Sequence, residues 1–320
     1  MKLKIFISKT LVILMLASLS KANAGAAAMQ VGAQAPMQAS SLTPNLQSAF
    51  GQQVGSSTVN FGFTAGSVWA ETADYTADYY YNTLSFNYTQ QQTERFSWQA
   101  NWQYQYSGNN HLDTITIWFH DAFGFDQNGR DQVAKHQNRI LAKEYGVEIV
   151  DFDGQTINNA FTLSGQYQLW QTPHHALSLQ AAIYYNYVPS GEFKKSNFEQ
   201  AVQVNYSYQY QQHSINTMLG VSYRDDSEVF AGLNYSHTAY AFAVGYNYAL
   251  SQHHSLAIEY KFFSGASDGD TDLAENANEV VIGYRYQNQP WQFEVVSIEN
   301  IRNMDNSTDI AFAINASYTF

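Results

Sequence analysis

The feature that most restricts this chain is an alternation of period two that runs too long for an ordinary strand. From Phe96 to Tyr106, the residues Phe96, Trp98, Ala100, Trp102, Tyr104 and Tyr106 alternate without a miss with Ser97, Gln99, Asn101, Gln103 and Gln105. Successive side chains of a strand point to opposite faces, so this segment has one apolar face and one polar face. Strands of soluble sheets average about five or six residues; a tilted strand crossing a bilayer needs about nine to eleven. The same pattern recurs around Leu84 to Tyr88, Phe161 to Leu169, Leu177 to Tyr187, Val202 to Tyr210, Ile215 to Tyr223, Tyr240 to Leu250, Leu256 to Phe262 and Val280 to Tyr286. Each has Ser, Asn, Gln, Gly or Ala on its other face, and weaker examples lie at Val59 to Trp69 and Trp291 to Val295. The expected fold class is all-β: a transmembrane, antiparallel, up-and-down barrel.

The connections fall into two kinds. Short polar turns occur at 90–94, 171–175, 211–214, 251–254 and 287–290, and longer links at about 71–79, 107–155, 188–196, 225–228, 264–277 and 299–308. Short periplasmic turns alternating with longer external loops are usual for such barrels. Five turns and six links join twelve strands and leave both ends on the periplasmic side, with ten or fourteen as rival counts. This topology requires Val229 to Leu250 to be one long descending strand, and is expected to fail if Ser236 to Ala239 is instead a turn. The descending strands end on Tyr88, Tyr167, Tyr210, Tyr248, Tyr286 and Tyr318, an aromatic girdle at one interface.

The chain opens with Lys2, Lys4 and Lys9, an apolar run from Thr10 to Leu19 and the small-residue site Ala22-Asn23-Ala24. Residues 1–24 therefore read as a cleavable signal peptide. Removing Lys2, Lys4, Lys9 and Lys21 from 15 basic residues leaves 11 against 27 acidic ones, a formal charge of −16. Nucleic acid is excluded as a partner, because phosphate binding needs a basic stripe. With no cysteine, neither disulfides nor thiolate metal sites can stabilise the fold. Residues 25–55 show neither helical nor strand period and are expected to form a flexible periplasmic segment, with a lumenal plug as the minor reading. Residues 56–320 form the barrel.

The last strand places Ile310, Phe312, Ile314, Ala316, Tyr318 and Phe320 on one face. Its terminal Phe, with an aromatic two residues earlier, resembles the C-terminal signal of Gram-negative outer-membrane barrels, a porin-like class. The resemblance implies outer-membrane localisation, recognition of Tyr318 and Phe320 by the barrel assembly machinery, and contact with outer-membrane lipid and lipopolysaccharide. The loop Gly124-Phe125-Asp126-Gln127-Asn128-Gly129-Arg130 also resembles one found in a group of proteobacterial barrels, and that resemblance implies no activity.

Alternation points Glu259, Lys261, Arg285 and Glu294 into the lumen, where opposite charges either close the interior or form a charged constriction. Arg224 and Glu199 also point inward but are less well placed. The external loop 107–155 carries His120, Asp121, Asp126, Asn128, Arg130 and Asp131, groups that could bind a sugar, a headgroup or a partner. The plainer reading is a loop in which Asn128-Gly129 makes a tight turn. Asp268, Asp270, Asp272, Asn276 and Glu279 match the ligand spacing of a calcium loop, but Leu273 stands where that turn needs Gly. A solvated acidic loop is the default, with Glu279 as the first inward residue of the next strand. His253-His254-Ser255 lacks the Asn-Gly that follows in outer-membrane phospholipases, and no other nucleophile and base stand at a defined spacing. No enzyme activity and no cofactor are expected. These features lead to a narrow channel for small polar solutes, with a closed barrel displaying its loops for adhesion, envelope integrity or partner binding as the alternative.

Overall fold

The computed structural model describes residues 27–72, 75–112, 137–225, 228–230, 233–267, 272–303 and 306–320. The strands, numbered along the chain, are β1 (Ser57–Glu71), β2 (Tyr75–Gln91), β3 (Phe96–Ser107), β4 (Arg139–Ala142), β5 (Val147–Val150), β6 (Thr156–Gln171), β7 (His175–Val188) and β8 (Lys195–Tyr210). They continue as β9 (His213–Arg224), β10 (Glu228–Phe230), β11 (Leu233–Asn234), β12 (Thr238–Ala249), β13 (His254–Phe263), β14 (Ala277–Asn288), β15 (Trp291–Arg302) and β16 (Ile310–Thr319). Setting aside β4, β5, β10 and β11, twelve strands form one antiparallel barrel in sequential order.

The barrel closes through β1. This strand pairs with β2 from Ser57↔Gln90 to Glu71↔Thr76, and with β16 from Thr58↔Thr319 to Ser67↔Ile310. Closure pairs each of the twelve wall strands on both sides, as hydrocarbon demands of any spanning sheet. The apolar faces point outward as the alternation requires: Phe61, Leu163, Leu219, Ile258 and Ile282 are all exposed.

One expected element is corrected. Val229 to Leu250 is not one strand: β10 and β11 pair as a small separate hairpin, and β12 begins only at Thr238. The topology survives because this hairpin stays at the external end, so the break adds no crossing. The hairpin's apolar residues Val229, Leu233 and Tyr235 fall on odd numbers and those of β12 on even ones, so the phase reverses where the strand breaks. The long external link also gains structure: β4 pairs with the upper end of β2 (Tyr75↔Ala142 to Asp78↔Arg139), and β5 pairs with β4.

The periplasmic girdle is built from repeated aromatic contacts. Rings of Tyr88 and Trp98, His174 and Tyr210, His213 and Tyr248, His254 and Tyr286, and Trp291 and Tyr318 lie 4.9–5.4 Å apart. Three times, the histidine that starts an ascending strand meets a tyrosine hydroxyl of the next descending strand. The Nδ1 to hydroxyl distances are 2.8 Å for His175 and Tyr206, 2.7 Å for His213 and Tyr246, and 2.5 Å for His254 and Tyr284. His254 is thus held by a tyrosine at the rim.

Residues 27–55, expected to be flexible and periplasmic, instead enter the lumen. They rise along β12–β14, turn at the short helix α1 (Pro36–Ala39), and descend past β8 and β6 before joining β1. Ala28, Met29, Val31, Ala35, Met37, Leu42, Leu46 and Ala49 are all buried. The segment lacks a period because its conformation is set by the barrel wall rather than by its own repeat.

Candidate functional site

The lumen is divided between this plug and the cavity beside it. The wall that seats the plug is built from small residues and charges. On the inner faces of β12 to β16 stand Ala241, Ala243, Ala257, Ala277, Ala311 and Ala313, which pack in two clusters with Ala28, Met29, Val31, Ala33, Ala35 and Leu46 of the plug. Three inward glycines complete the socket. A Cβ at Gly220 would lie 2.6 Å from Pro44 Cβ, one at Gly245 2.7 Å from Leu46 Cδ2, and one at Gly283 2.6 Å from Met29 Sδ. A larger residue at Gly220 would meet the rigid Pro44 ring, and at Gly245 or Gly283 it would force the Leu46 or Met29 side chain to give way.

The charges of this wall, joined by Glu199 of β8, act on the plug backbone. Glu259 accepts the Met29 N–H at 2.6 Å, Glu294 that of Gln30 at 3.0 Å, and Glu199 that of Leu42 at 3.0 Å. Glu279 accepts two, from Gln34 at 2.7 Å and Ala35 at 2.8 Å. Lys261 donates to the Val31 carbonyl at 2.8 Å, and Arg285 to those of Ala27 and Ala28 at 2.9 and 3.0 Å. The cations also pair with the acids: Arg224 with Glu199 at 3.2 Å, Arg285 with Glu294 at 2.7 Å, and Lys261 with Glu259 at 3.8 Å. An irregular segment buried without partners would lose about 1–3 kcal/mol for each unsatisfied amide. Here the wall supplies those partners, and charge-assisted bonds are roughly twice as strong as neutral ones.

At the external end the plug joins an aromatic seal. Tyr79 packs on Phe152 with ring centroids 5.5 Å apart, and Phe152 packs on Phe193 at 5.1 Å. Met37 of α1 belongs to the same buried cluster as these rings, together with Ile140, Ile149 and Tyr235. Tyr235 donates its hydroxyl to the Met37 carbonyl at 3.1 Å. Burial raises the Tyr235 phenol well above its ordinary pKa, which keeps it a donor. The Arg224 guanidinium lies 5.2 Å from the centre of its ring.

The opposite wall differs. Between the plug and β1–β3 and β6–β8 lies a cavity of about 280 Å³, bounded on the barrel side by residues such as Asn87, Gln99, Asn101, Gln103, Gln166 and Gln180. It reaches from Gln52, Gln91 and Ser97 near the periplasmic rim to Tyr184 beneath α1. Among the described residues that line it there is no Asp, Glu, Lys, Arg or His. Amides also tether the plug from this side: Gln203 donates to the Asn45 carbonyl at 2.9 Å, Gln166 to that of Ser48 at 3.1 Å, and Gln168 to that of Ala49 at 2.9 Å.

Comparison with known proteins follows from this geometry. Residues 4–320 match a family described as protein of unknown function, DUF3187. The chain belongs to that family. The match takes in the plug as well as the barrel. No curated protein sequence matches the chain. Among solved structures, an outer membrane channel from Pseudomonas putida F1 is similar with a TM-score of 0.54 at 10% identity, covering 88% of this chain and 100% of that one. The KdgM porin gives 0.45 at 8% identity (82% and 99%), and the NanC porin 0.47 at 9% (82% and 98%). The first likeness shows that the fold is that of an outer-membrane barrel.

The residues singled out in the sequence have separate fates. Glu259, Lys261, Arg285 and Glu294 are brought together on three adjacent strands, inward and buried. Arg224 and Glu199, ranked lower by sequence, form an equally buried pair nearer the external end. His120, Asp121, Asp126, Asn128, Arg130 and Asp131 lie outside the described residues, as do Asp268 and Asp270. Of the remaining calcium candidates, Asp272 opens a short 3-10 turn, Asn276 accepts the Gly265 N–H at 3.2 Å, and Glu279 faces the lumen and holds the plug. Tyr318 and Phe320 lie side by side at the rim with tilted rings, centroids 6.1 Å apart, and Phe320 is 63% exposed. Sequence reasoning missed the plug contacts and the amide cavity. The inward glycines on β9, β12 and β14 were the available signal, since a small inner face with nothing to fill it implies something seated there.

Proposed function

We propose that this protein is a gated, narrow outer-membrane channel for small polar solutes, with the N-terminal plug as its gate. The observation that carries the reading is the polar cavity running beside a plug held in the lumen by hydrogen bonds from the charged and amide groups of the wall. Twelve strands suit a narrow conduit, since diameter grows with strand number and wide porins use about sixteen to eighteen. Passage requires α1 to leave the aromatic seal that it shares with Tyr79, Phe152 and Tyr235. The same reading makes Glu259, Lys261, Arg285 and Glu294 plug anchors and determinants of the lumen. Loop 107–155 becomes an external gate or recognition element, and Tyr318 and Phe320 the signal read by the assembly machinery. The apolar outer face would meet outer-membrane lipid and lipopolysaccharide.

A second reading, a permanently closed barrel that displays its external loops, is favoured by the seal itself. Single-channel conductance of refolded residues 25–320, alone and after deletion of residues 28–49, separates the two. Intermittent steps that the deletion makes continuous support a gated channel. A folded, heat-modifiable barrel that stays silent in both forms supports the closed scaffold.

A further inference from the structure

The lumenal cavity carries an inference about what it holds. The barrel pairs Gln166 of β6 with Gln180 of β7, and Gln180 with Gln203 of β8, so three glutamines stand side by side at one level of the inner wall. The outer two are occupied by the plug backbone, through Ser48 and Asn45. Gln180, between them, lines the cavity, is 5% exposed, and has no hydrogen-bond partner for its Oε1. Two plug residues facing the same cavity repeat this condition: Asn45 Oδ1 and Gln38 Oε1 are buried and without partners. A buried acceptor left unpaired costs about 1–3 kcal/mol, so a donor reaching any of these three from the cavity would be favoured.

The chemistry of these groups narrows the occupant. All three are acceptor oxygens, so they call for donors. An ammonium would donate, but no carboxylate among the described residues lines the cavity to balance its charge, and an unpaired ion out of water is heavily penalised. An anion finds no cation there either. The amides also offer N–H groups, and their terminal torsion is soft enough to turn them inward. The neutral group that donates and accepts from a single atom is the hydroxyl.

We infer that the cavity between the plug and β1–β8 is a binding site for an uncharged polyhydroxylated solute, a simple sugar or polyol, with Gln180 at its centre and Asn45 and Gln38 of the plug as its second wall. This deepens the channel reading and rests on it for physiological meaning. A solute bound here touches both the barrel and the gate, so binding and plug position are coupled. A ligand that needs Asn45 and Gln38 in place holds the plug in.

The test uses the refolded mature chain in detergent, with saturation-transfer NMR against D-glucose, myo-inositol, gluconate and glucosamine, beside swelling of vesicles carrying the same protein. The expected result is saturable binding of glucose or inositol, at least tenfold weaker for gluconate and glucosamine. Gln180→Met should lose that binding several-fold while heat-modifiability stays unchanged, and Gln180→Asn, which keeps the amide, should retain part of it. Equal binding of charged and neutral solutes, no binding of any, or an unaffected Gln180→Met variant would overturn the inference. Binding without flux leaves the site standing and removes the channel; flux without discrimination does the reverse.

Discussion

The two halves of the barrel wall are built from the same strand pattern and differ in what they turn inward. From β1 to β8 the inner face is mostly amide and hydroxyl, and Ser97, Gln99, Asn101 and Gln103 of β3 are only half-buried beside the cavity. From β9 to β16 it is alanine, glycine and ion pairs, and Ala243, Val281, Glu259 and Lys261 are buried against the plug. A lumen of amides alone holds a guest segment only through a few neutral bonds, as Gln203, Gln166 and Gln168 do. A lumen of small residues and charges is a socket, because glycine gives the shape and buried carboxylates give directed bonds. Joining the halves in one barrel gives a docked plug with space along one side of it.

Each half can be broken separately. The largest effect is expected from deleting residues 28–49, which should turn rare or absent openings into a continuous conductance. It should also lower the thermal stability of the barrel, since Glu199, Glu259, Glu279 and Glu294 then lose the backbone donors they face. A temperature series on semi-native gels reads the second effect.

Removing one partner of a buried pair costs about 3–5 kcal/mol. Arg285→Ala leaves Glu294 without its cation and frees the carbonyls of Ala27 and Ala28. Its expected outcome is a destabilised plug seen as faster proteolysis of the N-terminal segment, with the barrel still heat-modifiable. Gly245→Leu tests the shape of the socket and crowds Glu259 as well as the plug. The added side chain meets Leu46, and overpacking of this kind costs about 1–3 kcal/mol. Open probability should rise by roughly one order of magnitude or more, since about 1.4 kcal/mol is a tenfold change. The smallest effect belongs to the amide wall: Gln99→Ala removes one bond, to Gln47 at 3.1 Å, worth about 1 kcal/mol. It should leave gating nearly unchanged while altering which solutes enter.

The barrel was legible because lipid on one face and a wet or packed lumen on the other impose a local rule that repeats every two residues. Phe96 to Ser107 shows the rule without error, and β3 occupies that stretch. The inward direction of Glu259, Lys261, Arg285 and Glu294 followed from the same rule. The β10–β11 hairpin shows in the sequence only as a reversal of phase between Tyr235 and Tyr240. The plug was hidden for a different reason. The partners of Met29, Gln34 and Leu42 lie 230, 245 and 157 residues away along the chain, so nothing within the segment encodes its path. What was readable was the recess: Gly220, Gly245 and Gly283 fall on inward positions of strands otherwise rich in larger residues. The fate of Gln180 was not readable, because an inward glutamine looks the same whether it holds a plug or faces a cavity.

The central claim is that the plug docks in the socket and must move for the channel to open. Met29 and Gly283 offer a direct test, since a Cβ at Gly283 would lie 2.9 Å from Met29 Cγ, within the reach of a disulfide, and the chain has no cysteine of its own. The Met29→Cys, Gly283→Cys variant would pin the ascending leg, while β1 already pins the descending one. The measurement is single-channel conductance of this variant, first oxidised and then reduced. The account predicts silence when the disulfide is closed and discrete openings once it is reduced, with repeated switching as the redox buffer is exchanged. Identical conductance in both states, with the disulfide verified, would contradict it.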